Sequence, residues 1–398
     1  MAFAEFVSFI AACMALNALA IDIMLPALPL LAADFHLSDP NQAQAVVAFF
    51  LIGTGISQLF YGPLADRFGR RPILIGGLVL FAIGGVLSAF ADSFATLLAA
   101  RVFQGIGAGS PRVISISLAR DRYSGATMAK VMSLAMMIFM AVPVLAPSLG
   151  QLLLVITPSW HWIFGSLVVA SMAVLWWTLA RLPETLSPDR RRPLAPAAVY
   201  SAYRQTVTHR RTLGYTIALT LVVGAHIGFI SSSQQIFVDV FEARKSFPLL
   251  FALITLSMAV AAFTNSRLVH RFGMRKMSLS GLIALLIINC FHLALALAGK
   301  ETLLVFMLLQ SASVFIFGFL AANLNTMAME PMGHIAGTAS SMVGFVSTVG
   351  SAVIGLIIGH LFNGSVAPLL GAYVVLALAA LWTAWFTDAR NLQSSDLP

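Results

Sequence analysis

Few side chains able to do acid–base or ionic chemistry fall inside the long apolar runs of this chain. Asp22, in Ala20-Ile-Asp-Ile-Met-Leu-Pro-Ala-Leu-Pro29, is the one carboxylate well inside such a run. Arg101, opening Arg101-Val-Phe-Gln-Gly-Ile-Gly-Ala-Gly109, is a cation at similar depth in another run, and Arg112 follows eleven residues later, close to three helical turns. Burial disfavours a charged carboxylate and a nearby guanidinium favours it, so a modest movement between the two carries an acid across the physiological pH range. The chemistry these residues offer is therefore reversible protonation. Bond-breaking chemistry has no foothold, since Gly-x-x-x-x-Gly-Lys-Ser/Thr, His-Glu-x-x-His, Gly-x-Ser-x-Gly and Cys-x-x-Cys are all missing.

Weaker candidates surround these two. Asn17 precedes Asp22 in the same run, and Met132, Met136, Phe139 and Met140 share one helical face. Soft side chains suit an adaptable apolar pocket and equally suit ordinary packing. His226 and His292 read as packing residues or proton relays, and Asn323 and Asn325 as cavity lining or caps.

The elements that must position these groups are membrane spans. Of 398 residues, 59% are hydrophobic and 10% charged, with mean hydropathy +0.92. A soluble domain needs roughly a quarter of its residues charged. Runs of about twenty apolar residues, each enough to cross a bilayer core as a helix, recur throughout. They predict twelve helices near 5–31, 41–62, 72–91, 94–118, 126–155, 160–181, 212–236, 246–267, 277–298, 301–325, 335–361 and 366–387. If the first runs inside to outside, eighteen lysines and arginines fall on one membrane face and three, Arg244, Lys245 and Lys300, on the other; Arg101 and Arg112 lie within spans. By the positive-inside rule both termini are then cytoplasmic. The net charge of +8 is topology, not a nucleic-acid site. Depth arithmetic puts Asp22 about 25 Å and Arg101 about 26 Å above the inner edge. Cys13 and Cys290 fall in apolar runs and read as packing residues.

The longest polar stretch holds Pro183, Pro188, Pro193, Pro196 and three successive arginines, and divides six spans from six. The expected organisation is a bundle over 1–182, a cytoplasmic linker over 183–211 and a second bundle over 212–398. A repeat supports it: Ser266-Arg-Leu-Val-His-Arg-Phe-Gly-Met-Arg-Lys276 echoes Gly62-Pro-Leu-Ala-Asp-Arg-Phe-Gly-Arg-Arg-Pro72, with His270 where the first copy has Asp66. Two parallel halves of this kind place a substrate site between them near mid-bilayer.

The Gly62–Pro72 segment resembles the loop signature of the major facilitator superfamily, in which the loop locks the cytoplasmic side during alternating access. The resemblance implies a lock built on Gly62, Asp66, Arg67, Gly69 and Arg70, with Asp66 paired to Arg120, Arg122 or the start of the eleventh helix. Gly62 and Gly69 are expected at tight turns. The segment from Arg101 to Gly109 resembles the second family signature. Pro143 with Ala146-Pro147-Ser-Leu-Gly150 resembles the antiporter signature of the fifth span, alanine replacing the usual glycine, and is expected to bend that helix. Asp22 with Pro26 and Pro29, Arg120-Asp121, and Glu330-Pro-Met-Gly-His-Ile-Ala-Gly-Thr-Ala-Ser340 resemble the bicyclomycin/chloramphenicol-resistance (Bcr/CflA) branch of the drug:proton antiporters.

What the resemblance implies is a monomeric, non-enzymatic, proton-coupled exporter of small amphipathic drugs in the inner membrane, without cofactor or metal. Asp22 would carry the proton, and Arg101 would tune it while bonding drug or first-span backbone. An endogenous sugar, nucleoside or amino-acid derivative is the alternative cargo. Such a ligand would need several placed polar groups, and the sparse midplane set favours drugs.

Overall fold

The computed structural model describes residues 1–187, 189, 191 and 196–394; Pro188, Arg190, Arg192 and Pro193 of the expected linker lie outside them. Regular structure among these is helical. The chain separates into two compact units, Met1–Val199 and Tyr200–Pro398, and the division falls within the stretch 183–211.

The first unit holds α1 (Phe3–Asp22), α2 (Leu28–Asp34), α3 (Ala45–Phe68), α4 (Arg70–Ala89), α5 (Phe94–Arg122), α6 (Gly125–Ile156) and α7 (His161–Arg181). Helix α8 (Pro196–Thr208) lies in the expected linker. It begins at a proline, the residue pre-set for a first helical turn, and buries Ala202 and Thr206 while Tyr200 is exposed. The second unit holds α9 (Arg210–Gln235), α10 (Phe247–Phe272), α11 (Met274–Leu297), α12 (Leu303–Met329), α13 (Ala336–His360) and α14 (Ala367–Ser394). Helix α9 continues into a π-helical turn, Ile236–Val240.

Ten stretches among the described residues are long and apolar enough to cross a membrane, and one of them, Leu303–His360, contains both α12 and α13. Helix α5 is not among the ten, diluted by Arg101, Gln104, Arg112 and its glycines and serines. With α1 and α2 as one interrupted span, these make the twelve spans of an all-α integral membrane protein.

Why the first span is interrupted follows from its prolines. Helix α1 ends at Asp22 because Pro26 has no N–H to give to the Asp22 carbonyl. A 3-10 turn, Leu25–Ala27, carries the chain to α2, which has Pro29 in its first turn. Helix α6 packs on α1 and on that turn.

In the middle of the first unit, α5 lies between α3 and α4. The glycines of its signature alternate in the helix they meet: Gly105 abuts the Phe50 carbonyl of α3, and Gly107 abuts the Phe81 backbone of α4. A Cβ at either position would strike backbone, so the small residues set the helix spacing. In the second unit, α9 packs on α12, α13 and α14 around Tyr215, Leu219, Leu320 and Leu324.

One expectation is corrected here. Helix α3 runs on to Phe68, so Gly62 sits inside a helix; the turn belongs to Gly69 alone, at φ +102. Helix α6 runs from Gly125 to Ile156 with Pro143 and Pro147 inside it.

Candidate functional site

The break in the first span gathers the first unit's distinctive residues. Asp22 is 3% exposed and its Oδ1 accepts no hydrogen bond. Asn17 is also buried, with an unpartnered Nδ2. Where the helix stops, backbone carbonyls lose their i+4 donors and need others. Arg101, wholly buried, supplies one: its Nη2 donates to the Ala20 carbonyl at 2.9 Å. Its Nε donates to the Val46 carbonyl of α3 at 3.1 Å, and its Nη1 to Gln104 Oε1 at 2.6 Å. The guanidinium carbon also stands 4.4 Å from the Phe50 ring centre and 5.6 Å from that of Phe164.

All three guanidinium nitrogens are thus engaged, and Arg101 makes no ion pair with Asp22. Of the two jobs the sequence offered it, the arginine does the backbone one, stapling α1 to α3 from α5. Three turns on, Arg112 is exposed. Gln104 was quoted in the motif but given no role; its spacing of three from Arg101 was the available signal.

Helix α6 closes the break from another side. Gly150 is packed so tightly on the Ile23 carbonyl that a Cβ there would overlap it, and Ala146 and Pro147 are buried alongside. Met136 is 38% exposed and Met140 partly buried. His226 belongs to the second unit, where its ring stacks on Phe317 at 4.0 Å with Nδ1 unpartnered. It borders a small, mostly apolar gap lined by Leu285, Val314, Phe317 and Tyr373 among others. Asn323 forms a reciprocal amide pair with Asn265 at 3.1 Å, a packing role.

On the arginine-rich side, Asp66 pairs with Arg70 at 2.6 Å, four residues on across the Gly69 turn. It pairs with neither Arg120 nor Arg122. Arg120 is exposed, and Arg122 donates to the Met1 carbonyl while lying over Phe6. Arg67 is exposed too. Arg70 reaches a second acid, Asp121, at 3.1 Å, and Asp121 also accepts from Thr185 Oγ1. Glu184, just beyond α7, accepts from the backbone N–H of Arg70 and Arg71 at 2.9 and 3.2 Å and from those of Thr185 and Leu186. This carboxylate caps α4, whose first N–H groups have no helical partners. Sequence reasoning missed Glu184, since nothing in its spacing tells which helix it returns to.

An interrupted membrane helix stapled by a buried arginine, in a chain of twelve spans with a repeated turn, is the frame of a secondary transporter. The sequence profile described as Major Facilitator Superfamily matches residues 10–355, and the chain belongs to that superfamily. It is similar, at 28% identity over 94% of both chains, to a bicyclomycin resistance protein homolog of Haemophilus influenzae. It is 31% identical, over 84% of this chain and 83% of the other, to the multidrug resistance protein MdtL of Escherichia fergusonii. Among solved structures, a D-xylose–proton symporter superposes with TM-score 0.76 at 17% identity, covering 97% of each chain. The human organic anion transporter MFSD10 superposes with TM-score 0.68 at 18% identity, over 98% of this chain and all of that one. These two likenesses speak for the fold.

Proposed function

We propose that this chain is a proton-coupled exporter of small amphipathic drug-like molecules, phenicol-type antibiotics among them, in a bacterial inner membrane with both termini in the cytoplasm. The observation that carries the reading is the setting of Asp22: buried, at the end of an interrupted helix, with Oδ1 unpartnered and the neighbouring cation engaged elsewhere. A carboxylate kept for structure is hydrogen-bonded. A bare one offers its oxygen to a proton or to a ligand's donor, and the two compete. Protonation from the outside releases drug outward, and loss of the proton to the inside restores the site. The resistance for which the Haemophilus and Escherichia relatives are named supports drugs as cargo.

Arg101 is a positioning residue in this scheme. It holds the Ala20 carbonyl two residues from Asp22, so Arg101→Ala should harm drug binding and coupling together. The Asp66–Arg70–Asp121 chain biases the balance between access states and does not touch the drug.

The test is drug-driven proton release from purified protein, with efflux from vesicles under an imposed pH gradient. Asp22→Asn should abolish gradient-driven efflux while an uncharged drug still binds. Efflux by Asp22→Asn that still scales with the gradient would move the proton pathway elsewhere. A cysteine at Ser187, in a background without Cys13 and Cys290, should react with an impermeant maleimide only once the cytoplasmic face is opened.

A further inference from the structure

In the second unit, away from its arginine-rich turn, His292 of α11 and Glu301 of the turn to α12 form a buried pair. His292 Nε2 stands 2.8 Å from Glu301 Oε1, with the side chains 0% and 9% exposed. Glu301 opens the expected span 301–325, and the fold encloses its side chain. Each partner has a second polar atom, His292 Nδ1 and Glu301 Oε2, and both are buried without a hydrogen-bond partner. A pair kept only to hold a turn would have these atoms bonded, because an orphaned buried polar atom loses its water without a replacement. With a neutral imidazole donating through Nε2, both orphans are lone-pair acceptors. The site then has one shared proton and room for another.

The pair also adjoins a row of aromatic rings. The turn it closes passes through Gly299 at φ +67 and is held by the Lys300 N–H to the Leu295 carbonyl at 3.0 Å. The His292 ring lies 5.7 Å from Phe306 of α12. Phe306 in turn meets Phe229 of α9, Phe237 in the π-helical turn, and Phe241 beyond it. π-Helical turns are common where a helix must adjust in function.

Other titratable groups at this end are Asp239, Glu242, Arg244 and Lys245 around the π-helical turn, Lys300 beside the pair, and His360 ending α13. Among the described residues none of these is hydrogen-bonded or ion-paired to His292 or Glu301. Tyr373 of α14 accepts from Gln310, and Cys290 is exposed. Helices α10 and α12 bring no charged side chain to this end.

We propose that His292 and Glu301 form a second proton-binding site, separate from Asp22, which takes one proton from the medium and thereby changes the hold on the α11–α12 turn and the contact of Phe306 with the end of α9. No covalent bond other than that to the proton forms or breaks. The inference goes beyond the exporter reading and does not depend on it.

Hydrogen–deuterium exchange of the purified full-length protein, read on peptides covering 295–306 between pH 5 and 8 and corrected for the intrinsic pH dependence of exchange, tests it without drug or gradient. In the unaltered protein, exchange of this turn should change several-fold as pH falls through a single step. Glu301→Gln and His292→Gln should each flatten the step, Glu301→Asp should keep it at a displaced midpoint, and Asp22→Asn should leave it unchanged. A turn whose corrected exchange shows no step in the unaltered protein overturns the proposal, whether or not the variants fold. So does a step that survives in both Gln variants, or one that vanishes in Asp22→Asn.

Discussion

The two copies of the repeated turn share a backbone and differ in what holds it. Gly69 and Gly273 both sit in the left-handed region, at φ +102 and +77, and each ends one helix and opens the next with no residue between. Around Gly69, three acids from elsewhere in the first unit converge: Asp66 and Asp121 on the Arg70 side chain, and Glu184 on the backbone of α4. Around Gly273 a Cβ would find nothing within 4 Å, and the second copy has His270 in place of the acid. Its anchorage lies further along. Arg275 of α11 donates to Asp388 of α14 at 2.8 Å, and Asp388 also accepts from Tyr215 of α9. The repeat thus preserves a chain reversal, while each unit chose its own acids to fasten it: the first clasps the turn itself, the second ties the helices behind it.

The largest effect that would probe this contrast is Gly69→Ala. A side chain at that backbone conformation costs about 1–3 kcal/mol, and here it also displaces Glu184. Gly273→Ala has the backbone cost alone. Apparent melting of the purified protein should fall by several degrees more for Gly69→Ala than for Gly273→Ala, and adding Glu184→Ala should recover part of the difference. Equal losses would mean that the clasp contributes nothing.

Next in size, Asp388→Asn removes a charge that Arg275 and Tyr215 share. A buried hydroxyl left poorly paired costs roughly 1–3 kcal/mol, so the loss should fall short of that of Gly69→Ala. It should appear in hydrogen exchange of α9 and α14 rather than of α3 and α4. Exchange that rises first in α3 and α4 would break the assignment of separate fastenings.

Asp66→Ala should have the smallest effect on stability, since the Asp66 side chain is 47% exposed and Asp121 still holds Arg70. Transport should drop while equilibrium drug affinity stays within a few-fold, because in the proposed scheme the pair biases access states and forms no part of the drug site. Complete loss of drug binding would contradict that division of labour.

The sequence made the spans, the repeat and the special residues of the first unit legible, because hydropathy and charge asymmetry act over whole helices. Partners were less legible, because they depend on which helices meet. Asp66 was assigned to Arg120, Arg122 or the start of the eleventh helix, whereas Arg70, four residues on, reaches it across the glycine turn. Glu301 stands four residues beyond the last residue of α11, a position that reads as loop, and only the packing of α11 on α12 encloses it. Helix α8 was overlooked inside a proline-rich stretch although Val199, Ala202, Tyr203 and Thr206 lie at helical spacing and Pro196 opens it. Gly62 was given a turn because glycine permits one; permission is not requirement, and the helix simply continues through it.

The staple at the first-span break has an evolutionary consequence. What Arg101 grips are carbonyl oxygens, those of Ala20 and Val46, and every amino acid carries one. Side chains along the interrupted span can therefore be exchanged without disturbing the anchor that shapes it. If the proposed role of Asp22 holds, a lineage can redraw the residues around it one by one, the prolines of the break apart, while the grip on the carbonyls stays in place.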